Sequence, residues 1–117
     1  MLELEIPWPP SSNRYWRNIR GRTIVSKEAR LYKFNIKELI FFIYKIKTPY
    51  FGKLELEISA FPPDKRQRDL DNLLKVTLDS LQSGKLFLND YQIDKIFIER
   101  KEVVKNGKLA IKIREIN

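Results

Sequence analysis

Leu54, Leu56, Ile58 and Ala60 alternate with Lys53, Glu55, Glu57 and Ser59 until Pro62-Pro63 stop the run. A period of two marks a strand with one buried face, because successive side chains on a strand point to opposite sides. The period then changes. Leu70, Leu73, Leu74, Leu78 and Leu81 recur at helical spacing, and Gly84 ends them. A strand that gives way to a helix through a charged link constrains this chain more than any other feature: the strand needs a sheet, and the helix needs that sheet's face to cover.

The remaining segments fit the same plan. Leu2, Leu4, Ile6 and Trp8 alternate up to Pro9-Pro10-Ser11-Ser12-Asn13, while Ile96 with Ile98 and Leu109 with Ile111 and Ile113 flank Asn106-Gly107, a strong hairpin signal. Ser26 as N-cap and Glu28 in the first turn predict a helix running to about Lys47, with Ala29, Tyr32, Ile36, Leu39, Ile40 and Ile43 at helical spacing. Leu31, Phe34, Phe41 and Phe42 add apolar surface elsewhere on that cylinder, which is buried either within the domain or against a second copy. Lys33, Lys37, Glu38 and Lys45 interrupt it too often for a membrane span. The expected fold is α+β: a mixed four-stranded sheet with two helices covering one face, in the order β-α-β-α-β-β. The last two strands form an antiparallel hairpin, and one domain spans residues 1–117.

Lysine and arginine outnumber aspartate and glutamate by 23 to 15, a net charge of +8, which favours a polyanionic partner. The chain has no histidine and no cysteine, which removes disulfides, thiolate nucleophiles, the usual general base and the usual zinc ligands. Any metal must therefore be held by oxygen, favouring Mg²⁺ or Mn²⁺. Met1-Leu2-Glu3-Leu4-Glu5 is acidic and alternating rather than basic and then apolar, so no signal peptide is expected and the cytoplasm is the expected compartment.

Two segments carry candidate chemistry. In the first, Arg14, Arg17, Arg20 and Arg22 interleave with Tyr15 and Trp16, and Gly21 predicts a turn between short extended pieces, as in a nucleic-acid-binding loop. Tyr15 and Trp16 are candidates to stack on an unpaired base, or equally to pack against the first strand. The second is the charged link, Asp64 to Asn72. Asp71 stands at the margin of the leucine stripe with Lys75, and Asp69 converges with it only if Asp69 belongs to the extended approach to the helix, as we expect. N-capping, worth about 0.5–2 kcal/mol, explains one acid. Two acids, preceded by Lys65, Arg66 and Arg68 and followed by Lys75, point to metal-assisted phosphodiester chemistry. Asp79 reads as a solvated helix acid, and Asp90 lies in a loop where turn chemistry alone accounts for an Asn-Asp pair.

Pro9-Pro10-Ser11-Ser12-Asn13-Arg14-Tyr15-Trp16, Arg68-Asp69-Leu70-Asp71-Asn72-Leu73-Leu74-Lys75 and Asn89-Asp90-Tyr91-Gln92-Ile93 together resemble the RusA family of Holliday junction resolvases across nearly the whole chain. The resemblance implies a homodimeric, Mg²⁺-dependent endonuclease of DNA recombination and repair that binds four-way junction DNA and makes paired symmetric nicks. It implies that Asp69, Asp71 and Asp90 are catalytic metal ligands and Lys75 the active-site lysine. Arg68 matches a neighbouring basic residue, and with Lys65, Arg66 and the arginine loop it would contact DNA. The chain departs from the family pattern at Asn89, often an acid, and at Gln67, which interrupts a basic run. The alternatives are a non-catalytic basic DNA-binding protein and a metal nuclease acting on forks or flaps.

Overall fold

The computed structural model of the chain describes residues 1–116. In chain order the elements are β1 (Leu2–Pro7), α1 (Ser12–Tyr15), β2 (Trp16–Ile19), β3 (Arg22–Val25), α2 (Lys27–Glu38), β4 (Lys53–Phe61), α3 (Leu70–Ser83), β5 (Ile93–Arg100) and β6 (Lys108–Ile116). A mixed four-stranded sheet has the order β1-β6-β4-β5, while β2 and β3 form a separate two-stranded ribbon.

Alternation places the core. Leu54, Leu56, Ile58 and Ala60 of β4 are all buried, in one cluster with Leu4 and Ile6 of β1, Leu109 and Ile111 of β6, Tyr32 and Ile36 of α2, and Leu73 and Leu81 of α3. The opposite face is charged and self-neutralising: Lys112 faces Glu3, Lys108 faces Glu5, and Arg114 pairs with Glu55. Such exposed pairs contribute at most about 1 kcal/mol each. Their main consequence is that this face uses up its own cations, leaving the protein's net positive charge to lie elsewhere.

The expected terminal hairpin is replaced by a different pairing. β5 pairs in parallel with one edge of β4, and β6 pairs antiparallel with its other edge. The Asn106-Gly107 turn does form, with φ of 68° and 67°. It connects strands on opposite sides of β4 because residues 101–104 cross over that strand's end, where Lys101 N donates to Ala60 O (2.8 Å) and Val104 N to Pro62 O (3.0 Å).

Ser26 caps α2 as expected, its hydroxyl accepting from Ala29 N at 3.1 Å. The helix is shorter than predicted: it ends at Glu38 and continues as a π-helical turn over Leu39–Ile43. Its outer apolar residues find no cover among the described residues, and Leu31, Phe34, Phe42 and Ile43 are 62, 57, 61 and 67% exposed. On α3 the buried stripe is rotated from the leucine pattern. Leu73, Val76, Thr77, Ser80 and Leu81 are buried, whereas Leu70, Leu74 and Leu78 are partly buried. Thr77 and Ser80 tolerate this because their hydroxyls donate to Leu73 O (2.8 Å) and Val76 O (2.9 Å). The rotation carries Asp71 and Lys75 from the margin of the stripe to the outward face.

Gly107 shows how tightly the end of the sheet is built. A Cβ there would meet the Pro63 ring nitrogen at 3.0 Å and Trp8 Cβ at 3.0 Å, at a backbone angle that disfavours side chains. Gly107→Ala should destabilise the protein by about 1–3 kcal/mol, read as a lower urea midpoint with an unchanged slope.

Candidate active site

Pro62 and Pro63 end β4, and residues 64–69 lead to α3 through a link that is held internally. Asp64 organises it, accepting from Arg66 N (2.9 Å) and from the Arg68 guanidinium (2.8 Å). The Arg66 amide lowers the Asp64 pKa most among the favourable contacts, a slight desolvation opposes it, and Arg68 adds to the lowering. Arg68 also donates to Asp64 O (3.3 Å) and lies 5.5 Å from the Trp8 ring centre. Arg100 Nη2 closes the link from outside, donating to Arg68 O at 2.6 Å. Arg68, expected to grip phosphate, is thus built into the link, whereas Lys65 and Arg66 are exposed.

Asp69 belongs to the extended approach, as expected. Its φ and ψ are −84° and 131°, and it is the N-cap residue of α3, yet its side chain makes no capping hydrogen bond. Capping therefore does not use this carboxylate. Asp71 follows in the first turn. Lys75, one turn further on, has its ammonium 4.8 Å from the Trp16 ring centre. A groove of about 630 Å³ reaches Asp69, though not Asp71 or Lys75, and is lined by Pro9, Ser12, Asn13 and Arg14 together with Arg68, Asp69 and Asn72.

The arginine loop is a ribbon rather than an irregular segment. Arg20 and Gly21 form its turn with φ of 52° and 77°, and Arg17, Arg20 and Arg22 are exposed on it. Arg14 precedes it on α1. A two-stranded ribbon is marginal alone, so its base must be anchored. Ser26 N donates to Tyr15 O (2.8 Å), and Tyr15 packs against Ala29 and Val76. Tyr15 is fully buried, which corrects both expectations for it: it cannot stack on a base, and it packs between α2 and α3 rather than against β1. Its hydroxyl donates to Asp79 and lies 3.0 Å from the Ser80 hydroxyl. Burial, then the Asp79 hydrogen bond, push the Tyr15 pKa upward. Asp79, which also pairs with Lys33 at 2.9 Å, is therefore a structural anchor rather than a freely solvated acid.

Asp90 opens a 3-10 turn, Asp90–Gln92. Asn89 caps that turn by accepting from Tyr91 N at 3.0 Å, a contact that an aspartate at this position could make as well. Gln92, buried and missed by the sequence reading, fixes the turn by donating to Tyr50 O and Gly52 O and accepting from Leu88 N and Asn89 N. Asp90 N donates to Gln82 Oε1 at 3.0 Å. Gln82 lies in the last turn of α3 and Asp69 at its start, and the twelve helical steps from Leu70 to Gln82 span about 18 Å. Within one chain, then, Asp69 and Asp71 share one end of α3 and Asp90 stands at the other. Among the described residues, no three acids are grouped to hold a metal ion.

Residues 7–114 match the family model described as Endodeoxyribonuclease RusA. The chain belongs to the RusA endodeoxyribonuclease family. It is 37% identical over 116 residues to the crossover junction endodeoxyribonuclease RusA of Escherichia coli strain K12, covering 97% of this chain and 93% of that protein. The RusA proteins of Enterobacteria phage 82 and Shigella sonnei are each 36% identical over the same shares. The family match includes the β4–α3 link, the arginine ribbon and the Asp90 turn. No helix among the described residues is long and apolar enough to cross a membrane.

The lowered Asp64 pKa predicts a one-sided pH response for the link. A depressed carboxyl pKa contributes order that is complete above the ordinary carboxylate value, about 4, and is lost as pH falls through the lowered value. Amide exchange of residues 64–69 should show greater opening, after correction for intrinsic rates, only in acid for the unmutated protein. Asp64→Asn should show it already at neutral pH.

Proposed function

We propose that this protein is a Mg²⁺-dependent, structure-selective endodeoxyribonuclease, with Mn²⁺ as a substitute. It would resolve four-way DNA junctions by paired symmetric nicks, in recombination and repair. The observation that carries the reading is Asp69: an acid at the mouth of α3 whose carboxylate is free of capping, with Asp71 two residues on. Residues 14–27 contain Arg14, Arg17, Arg20, Arg22 and Lys27 and no acid, and Arg14 lines the same groove as Asp69. The relatives' names, crossover junction endodeoxyribonuclease, agree with this chemistry.

The separation of Asp90 from Asp69 and Asp71 supports a homodimer with shared sites. Asp71, Lys75 and Gln82 lie along one outward line of α3, and Asp90 adjoins Gln82. A two-fold partner that lays its own α3 antiparallel on this line brings Asp90 of the partner subunit to the end where Asp69 and Asp71 stand, and the reverse occurs at the second site. The exposed Leu31, Phe34, Phe41 and Phe42 supply apolar surface of the kind that self-association buries.

A bound Mg²⁺ would supply a water of lowered pKa and neutralise phosphate charge. The all-oxygen donor set of Asp69, Asp71 and Asp90 suits such a hard cation once two chains contribute. Lys75 stabilises charge on the phosphate, while the ribbon arginines with Lys65 and Arg66 hold the backbone. Binding should weaken with salt by about 0.9 log unit per neutralised phosphate for each decade of concentration.

With Mg²⁺ the protein should nick a synthetic four-way junction in preference to fork or linear duplex competitors. Asp71→Asn should lower nicking by at least about a hundredfold while leaving junction binding in place. Mixing inactive Asp71→Asn and Asp90→Asn subunits should restore nicking in heterodimers, which then hold one intact site. No cleavage by the unmutated protein overturns the resolvase reading, and failure of the exchanged mixture to recover overturns the shared site.

A further inference from the structure

We propose that Trp16 is a positioning residue for Lys75, holding the lysine through its indole face rather than stacking on DNA. The inference rests on the reading of Lys75 as part of the cleavage site. Three observations support it. The Lys75 ammonium lies 4.8 Å from the Trp16 ring centre, within the range where a cation is attracted to an aromatic face. Trp16 is partly buried, unlike the exposed remainder of its strand. Its neighbour Tyr15 is bonded to α3 itself, at Asp79 and Ser80, one turn beyond Lys75.

These contacts form a closed loop of constraints. Tyr15 fixes the base of the ribbon to α3, its ring centre is 4.5 Å from that of Trp16, and Trp16 in turn meets the ammonium of a residue on that same helix. A lysine has four flexible bonds and on an outward helix face would otherwise sample many rotamers. The indole face narrows that range while leaving the donors of the ammonium turned away from the ring free for a phosphate oxygen. Asp71, the acid four residues before Lys75, is thereby left free for another partner. Because Arg17 follows Trp16 directly, the same ribbon joins the DNA-contacting arginines to the lysine.

The contact is tested first without DNA or metal: Lys75→Met should move the Trp16 indole N–H resonance and leave that of Trp8 in place. Single-turnover nicking and junction binding in EDTA are then compared for Trp16→Phe and Trp16→Leu. Trp16→Leu should nick about tenfold more slowly with binding unchanged, and Trp16→Phe should recover most of the rate because it retains an aromatic face. An unmoved Trp16 resonance, or equal nicking by Trp16→Leu and the unmutated protein, overturns the proposal. So does a loss of junction binding in Trp16→Leu that Trp16→Phe restores, which identifies a base-stacking residue. If the unmutated protein nicks nothing, the cleavage role is overturned with the resolvase reading, while the resonance shift still decides whether Trp16 holds Lys75.

Discussion

The parallel pairing of β4 with β5 governs the arrangement of everything else. Antiparallel neighbours can be joined by a short turn, but parallel neighbours need a crossover, and here α3 is the crossover. The chain must therefore leave the end of β4, form a helix over the sheet, and return to the start of β5. This fixes both ends of α3. Asp69 and Asp71 are delivered at the departing end, where Pro62-Pro63 have stopped the ladder, and Asp90 is delivered at the returning end, just before β5 begins. Their separation thus follows from the topology and does not depend on side-chain conformation.

The sequence made the local parts legible because each follows from a short-range rule. The alternation in β4, the Ser26 cap, the Asp69 conformation and the Asn106-Gly107 turn were all foreseen. What failed was pairing. Asn106-Gly107 fixes a reversal of direction, but which strand receives the chain after the reversal depends on bonds to Ala60 and Pro62 that no local pattern records. The leucine stripe misled in another way: hydrophobicity alone assigned Leu74 and Leu78 to the buried face ahead of Thr77 and Ser80. The two hydroxyls are buried because the helix satisfies them internally.

The candidate site was legible by residue type and not by role. Arg68 and Lys65 look alike as cations beside acids, yet one is bonded to Asp64 and Trp8 contacts it, while the other is exposed. Asp64 and Asp79 read as incidental acids and prove to be the anchors of the link and of the ribbon. Gln92 stands in one of the segments that carry the family resemblance, but nothing in the sequence assigns it a role. Its role comes from four backbone hydrogen bonds, two to the neighbouring Leu88 and Asn89 and two to the distant Tyr50 and Gly52, and a buried amide with such partners becomes visible only in three dimensions.

The division of labour among the cations has a physical logic. A site that acts on a polyanion must attract it without letting the attraction disorder the acids. The ribbon carries exposed arginines, whereas in the link beside Asp69 the Arg68 guanidinium is paired with Asp64 and the last carbonyl before Asp69 is held by Arg100, with Lys65 and Arg66 left exposed. An arginine already committed to an internal carboxylate and an aromatic face has less to gain from a phosphate, so on the proposed reading DNA would load the ribbon first and leave the Asp69 backbone where the fold set it. In the proposed dimer, preorganisation of this kind would matter most for Asp69, Asp71 and Asp90, which do not meet within one chain, because their geometry on association would be only as good as the rigidity each chain brings to it.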